Sequence, residues 1–261
     1  DIWNCSQTCW NVGLIMINWQ YKSEYDIIWG RHIKISECTL SKETQDLLYR
    51  YFAAAANLYG VIEIGKLLKI YNSQNEPVSE EDFLSFVENM NFKGKYFCVF
   101  NQDDIYDDGS ETLALEQEIL AEYLYFFEVD DDSLDKYEML KYRQIGKKFC
   151  VLDKEQFLRY EDDCYFKKTP DFLEMRSFLR NETGLSKEDA DDYANDIMIC
   201  FEAQPDNSEE SVYEVIMGSG IYNRDDIAFS HRKLEYLCQK VMYTSAGLHV
   251  LLGHTPEEIF G

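Results

Sequence analysis

The sequence predicts a mainly α fold with one small β hairpin, and three observations predict it. Apolar residues recur at helical spacing through most of the chain from Thr39 onward. Helix-start and helix-stop residues bracket those stretches. Only 4 Pro and 13 Gly occur in 261 residues, too few for a turn-rich β sandwich. The chain is 46% apolar and 15% aromatic, enough to bury a core. A net charge of −24 therefore does not imply a disordered chain. The length fits one large domain or two small ones.

Residues 1–40 form an N-terminal segment of unclear structure, rich in aromatics (Trp3, Trp10, Trp19, Trp29), with a short helix expected near 10–20. The apolar run from Trp10 to Trp19 is broken by Asn11 and Asn18. It lacks the basic flank and small-residue cleavage site of a signal peptide. The chain opens on Asp1 rather than Met, as a chain trimmed upstream would.

A first helix follows, capped by Thr39 or Ser41, running to about Tyr59 on Leu47, Leu48, Tyr51, Ala54, Ala55 and Leu58. Gly60 stops it. Val61-Ile62 reads as a short extended link. A second helix spans about Glu63 to Tyr71, and a turn follows over Asn72 to Pro77. Ser79, with Asp82 three residues on, starts a third helix facing inward through Phe83, Leu84, Phe86, Val87 and Met90. Tyr96 to Phe100 is a strand, with a returning strand near Ile105-Tyr106. Three helices and a β hairpin make residues 41–110 a winged-helix-like unit.

Residues 111–261 read as a mostly helical domain, a helical bundle with one short strand near 147–152. A helix is expected over Leu113, Ile119, Leu120, Tyr123, Leu124 and Phe127, and another from Ser133 to Arg143. Gly146-Lys-Lys-Phe-Cys-Val-Leu152 echoes Gly94-Lys-Tyr-Phe-Cys-Val-Phe100. The echo is either a remnant of duplication or two strands built alike for one sheet. Later helices start at Lys154, at Thr169-Pro170, at Ser186, at Ser208 and at about Asp225. The last runs to Ala246, with Ile227, His231, Leu234, Cys238, Val241 and Ser245 on one face. Met217-Gly-Ser-Gly220 is a helix-ending turn. Thr255-Pro-Glu-Glu258 is a helix start with almost no chain after it, a short docked turn or a truncated end.

Charge narrows the function. A DNA or RNA binder needs a basic stripe to release counterions from phosphates. This chain has 25 Lys+Arg against 49 Asp+Glu. The third helix, where a DNA-reading unit needs Lys and Arg, carries Glu80, Glu81, Asp82 and Glu88 and no base. Fourteen acids and one base, Lys136, lie between Asp103 and Glu138, more than half of the net charge. No apolar run approaches the roughly 18 residues that a membrane span requires.

The candidate chemistries each lack a part. Eight cysteines include Cys98, Cys150, Cys200 and Cys238 in apolar company, which reads as buried free thiols in a cytoplasmic protein. Cys5, Cys9, His32 and Cys38 lack the two close pairs of a zinc site. An EF-hand loop starting at Asp104 would place Tyr106 and Leu115 where oxygen ligands belong. His231 on an apolar face reads as an interior histidine. Phosphate-loop glycine patterns and a G-x-S-x-G elbow do not occur. No catalytic, cofactor-binding or metal residue is therefore assigned.

Tyr51-Phe-Ala-Ala-Ala-Ala-Asn-Leu-Tyr-Gly60, Ile70-Tyr-Asn-Ser-Gln-Asn75, Phe166-Lys-Lys-Thr-Pro170 and Gly253-His-Thr-Pro-Glu-Glu258 resemble segments of uncharacterised proteins from low-GC Gram-positive bacteria. The resemblance is spread over about 45–261. It implies a bacterial, cytoplasmic setting and no activity. Some relatives carry a C-terminal SEC-C zinc motif, and this chain has no cysteine after Cys238.

The expectation is a non-enzymatic protein-binding or regulatory module with an acidic contact surface. The candidate partner-contact residues are Asp103, Asp104, Tyr106, Asp107, Asp108, Glu122, Tyr123, Asp130, Asp131 and Asp132. The partner would be a protein of basic character, with no direct DNA or RNA binding and no membrane. The alternatives are an acidic nucleic-acid mimic bound to a basic protein, and an enzyme whose site is assembled from distant residues.

Overall fold

The computed structural model describes residues 38–90, 96–101, 112–121, 132–202, 204, 208–223, 229–246 and 248–261, with the backbone alone at 132–136 and 202. Ten α-helices and three strands lie among them. No described helix is long and apolar enough to cross a membrane.

Helix α1 spans Lys42–Tyr59, and Ser41 caps it by accepting from the Thr44 amide. Gly60 ends it with φ +72°, a region open to glycine because it has no Cβ. The chain turns there directly into β1, Val61–Glu63, and then α2, Ile64–Gln74. α2 thus runs one turn beyond the expected Tyr71. Ser79 caps α3, Glu80–Glu88, as its sequence signature predicts. Phe83, Phe86 and Val87 are buried beneath it, while Glu80, Glu81 and Glu88 stand exposed.

The sheet departs from the sequence reading. β2, Phe97–Phe100, pairs antiparallel with β3, Glu118–Ala121, and β3 pairs antiparallel with β1. The strand order is β1-β3-β2. Residues 113–127 were expected as a helix. Instead a 3-10 turn at Ala114–Glu116 leads into β3, while Tyr123, Leu124 and Phe127 lie outside the described residues. β3 is the central strand and every residue of it is buried. A strand buried on both faces shows a continuous apolar run, which periodicity cannot distinguish from a helix. The sheet thus takes its central strand from beyond residue 110. Ile105-Tyr106 lies outside the described residues.

Helix α4, Asp132–Gln144, packs on the sheet through Tyr137, and its Leu140 is buried as well. Residues 147–152, expected as a strand, pair with no strand. The Cys150 amide instead donates to the Leu252 carbonyl at 2.9 Å. The shared Phe-Cys-Val is therefore a strand at Phe97–Val99 and not at Phe149–Val151.

After the short α5, Lys154–Phe157, a 3-10 turn at Leu158–Glu161 lies against α1. The bundle then comprises α6 (Pro170–Glu182), α7 (Lys187–Glu202), α8 (Glu209–Gly218) and α9 (His231–Thr244). Thr169, Ser208 and Ser230 cap α6, α8 and α9 by accepting backbone amides. α9 begins at His231 rather than Asp225, and Ile227 lies outside the described residues. Met175, Phe178, Leu179, Ile197, Val215 and Val241 are buried within the bundle. Ion pairs lace α9 to α6: Lys240 to Asp171 at 2.9 Å and to Glu174 at 2.6 Å, and Lys233 to Glu182 at 2.6 Å. The terminal turn α10, Pro256–Phe260, has a complete capping box on Thr255 and Glu258 and packs against α9. One continuous apolar core runs from Leu48 to Leu252 through both halves.

Candidate functional site

Most of the expected contact surface, Asp103, Asp104, Tyr106, Asp107, Asp108, Glu122, Tyr123, Asp130 and Asp131, lies outside the described residues. Asp132 opens α4, and its side chain also lies outside them. Cys5, Cys9 and His32 lie outside as well, while Cys38 is a half-buried free thiol.

The densest polar arrangement among the described residues gathers at the end of α1. The Asn57 amide donates to the Tyr160 carbonyl at 2.8 Å. The Asn57 carbonyl lies 2.8 Å from His249 Nε2. A carbonyl only accepts, so Nε2 carries the proton. Gln144 donates to the Tyr59 carbonyl at 3.1 Å and to the His249 carbonyl at 3.0 Å. The Tyr59 hydroxyl donates to the Cys150 carbonyl at 2.9 Å. Burial pushes the Tyr59 phenol well above its usual range. Burial also lowers the His249 pKa to about 4, against the opposing pull of the Asn57 carbonyl. His249 is therefore a neutral latch between α1, α4 and the C-terminal segment.

Beside this latch is a narrow cleft lined by Asn57, Tyr160, Tyr165, Phe166, Met198 and Ser245, with Lys167 and Ala246 completing it. Its cavity is about 20 Å³, room for one water-sized group and far below a substrate pocket. Ser245 is 5% exposed, and its hydroxyl has no hydrogen-bond partner.

A second polar cluster locks α4 to the sheet. Glu118 on β3 is buried, accepts from the Tyr137 hydroxyl and pairs with the Lys141 ammonium. Tyr137 also packs edge-on against Phe100 with ring centroids 5.7 Å apart. Every one of these partners anchors structure, and none presents a reacting atom to a cavity.

The histidine expectation is reversed. His231 is exposed and stacks on Tyr222 at 4.5 Å. His249 is the interior histidine. The signal for it was the apolar run Leu248-His-Val-Leu-Leu252. The thiol expectation holds fully for Cys238 alone. Cys98, Cys150 and Cys200 are only half-buried. Burial first, then Glu235, pushes the Cys238 thiol well up, the inert direction for a nucleophile. Asp162, Asp163 and Cys164 hold ligand atoms within 4.8 Å of one another. That closeness follows from the turn in which the Cys164 amide donates to Asp162 at 3.1 Å.

No protein-family model, curated protein or solved structure matches this chain.

Proposed function

We propose that this protein is a non-enzymatic, cytoplasmic protein-binding or regulatory module, built on a winged-helix-like unit, that presents an acidic surface to a basic protein. The single observation that carries the reading is the outward face of α3. Glu80, Glu81 and Glu88 are exposed there, and the buried side holds only Phe83, Ser85, Phe86 and Val87. Phosphates would be repelled by that face, and Lys- or Arg-rich protein surfaces would be attracted.

The winged-helix-like part is supported by element order. α1, β1, α2 and α3 precede β2 and β3, and the three strands form one antiparallel sheet. Fold does not imply function, so the acidic face and not the architecture decides the partner class. The candidate contact acids from Asp103 to Asp132 carry charge of the same sign and belong to the segment richest in it.

The test is a pull-down from the source cell with the intact chain and with two charge-neutralised variants. One replaces Glu80, Glu81 and Glu88 by Gln. The other replaces Asp103, Asp104, Asp107, Asp108, Asp130 and Asp131 by Asn. Loss of salt-sensitive partners in either variant supports the reading. Equal recovery of every partner by both variants sinks it.

A further inference from the structure

The C-terminal half of α4 and the turn after it stand apart from the rest of this acidic chain. Residues 139–152 contain four bases, Lys141, Arg143, Lys147 and Lys148, and no acid. In a chain with 49 acids that stretch is a local reversal of charge. Its outward side chains are also apolar: Tyr142 is 76% exposed, Ile145 74% and Met139 41%. Residues three apart on a helix share a face, so Met139 and Tyr142 stand in one row that Ile145 continues. The opposite face is already used, with Tyr137 and Leu140 buried and Lys141 held by Glu118.

Large apolar side chains left outward and ringed by charge mark an interaction surface. Here the rim beyond Ile145 is positive, through Lys147 and Lys148. Lys148 is exposed, and the Lys147 ammonium, which donates to the Arg143 carbonyl, is pushed below its usual pKa by burial and by the Arg143 charge. Glu138, one turn before Tyr142, is the nearest acid on the N-terminal side.

We propose that Met139, Tyr142, Ile145, Lys147 and Lys148 form a docking surface for a short acidic peptide segment of another protein, one that carries apolar side chains among its carboxylates. Charge complementarity argues for the acidic character, and the exposed Tyr142 and Ile145 argue for the apolar anchors. A short peptide is favoured over a nucleic acid or an anionic membrane. Those polyanions extend well past the patch and meet the surrounding net charge of −24, whereas a peptide a few residues long stays within about one Debye length, ~8 Å, of the bases. The inference is independent of the acidic face of α3.

The probe is a labelled synthetic helix-forming peptide with leucines at i, i+3, i+4 and i+7 and glutamates elsewhere, read by fluorescence anisotropy. Expected is binding in the range of about 10–100 μM, weakening as salt rises. Affinity should fall at least about tenfold in Tyr142→Ser/Ile145→Ser and in Lys147→Gln/Lys148→Gln. Circular dichroism should show both variants folded, because Tyr142, Ile145 and Lys148 are exposed and the half-buried Lys147 gives up a surface hydrogen bond to the Arg143 carbonyl. No binding at about 1 mM overturns the proposal, and so does binding unchanged in both variants. Binding of oligothymidylate or phosphatidylserine vesicles in place of the peptide also overturns it. Self-association of the chain that both double variants abolish overturns it too, by assigning the patch to a second copy.

Discussion

His249 Nε2 lies 2.8 Å from the backbone carbonyl of Asn57, 192 residues earlier in the chain. The contact joins the last turn of α1 to the C-terminal segment, and the surroundings leave no room for error. A Cβ built on Gly60 would fall 2.8 Å from His249 Nδ1.

This latch makes stability depend on pH. His249 titrates near 4 in the folded state and near 6.5 when unfolded. Its folded pKa is depressed, so the neutral ring contributes stability that is complete above about pH 6.5 and lost as pH falls towards 4. By pH 5 the loss is about 2 kcal/mol. Urea denaturation at pH 7 and pH 5 checks this, with His249→Gln expected to narrow the difference between them. An unchanged difference in that variant would count against the latch.

Gly60→Ala should destabilise the fold by about 2 kcal/mol or more. The φ of +72° disfavours any Cβ, and the added methyl meets the His249 ring. The double change Gly60→Ala/His249→Ala should be less than additive, because the clash is removed once and the backbone cost remains. Chemical denaturation of the four proteins measures the coupling.

The buried Glu118 gives a contrast between breaking and replacing an ion pair. Lys141→Ala leaves a carboxylate at 4% exposure with one neutral partner, Tyr137, and should cost about 3 kcal/mol. Glu118→Leu/Lys141→Met removes both charges and should cost clearly less than the single change. The reverse order of stabilities would show that the pair itself holds α4 on the sheet.

Asp196 on α7 works in the opposite direction. Burial first, then the Asp192 charge, raises its pKa to about 6. An acid with a raised folded pKa weakens the fold while ionised, and the penalty fades as pH falls from about 6 towards 4. Asp196→Asn should therefore stabilise the protein at pH 7 by at most about 1 kcal/mol, after allowance for solvent screening of a half-exposed group. The gain should shrink at pH 5. A variant less stable than the parent at pH 7 would refute the assignment.

Local chemistry in the sequence determined much of this protein. Ser41, Ser79, Thr169, Ser208 and Thr255 cap the helices that their positions predict, because a cap involves only the amides two or three residues on. Gly60 and Gly184 end helices or their turns with positive φ for the same local reason. The acidic outer face of α3 was likewise legible, since Glu80, Glu81 and Glu88 fall outside the apolar positions Phe83, Phe86 and Val87. Tertiary structure decided the rest. β3 became a strand because β1 and β2 flank it, more than 50 residues earlier on one side and about 20 on the other. Residues 149–152 repeat the β2 pattern but bond to the Leu252 carbonyl and to the Tyr59 and Gln74 side chains, and form no strand. His231, expected inside, is exposed and His249 is buried instead, since burial depends on which segments close over a side chain. The Ser245 cleft brings Asn57 to Ser245, and the Glu118 cluster joins residues 19 and 23 positions apart, and no spacing rule reaches that far.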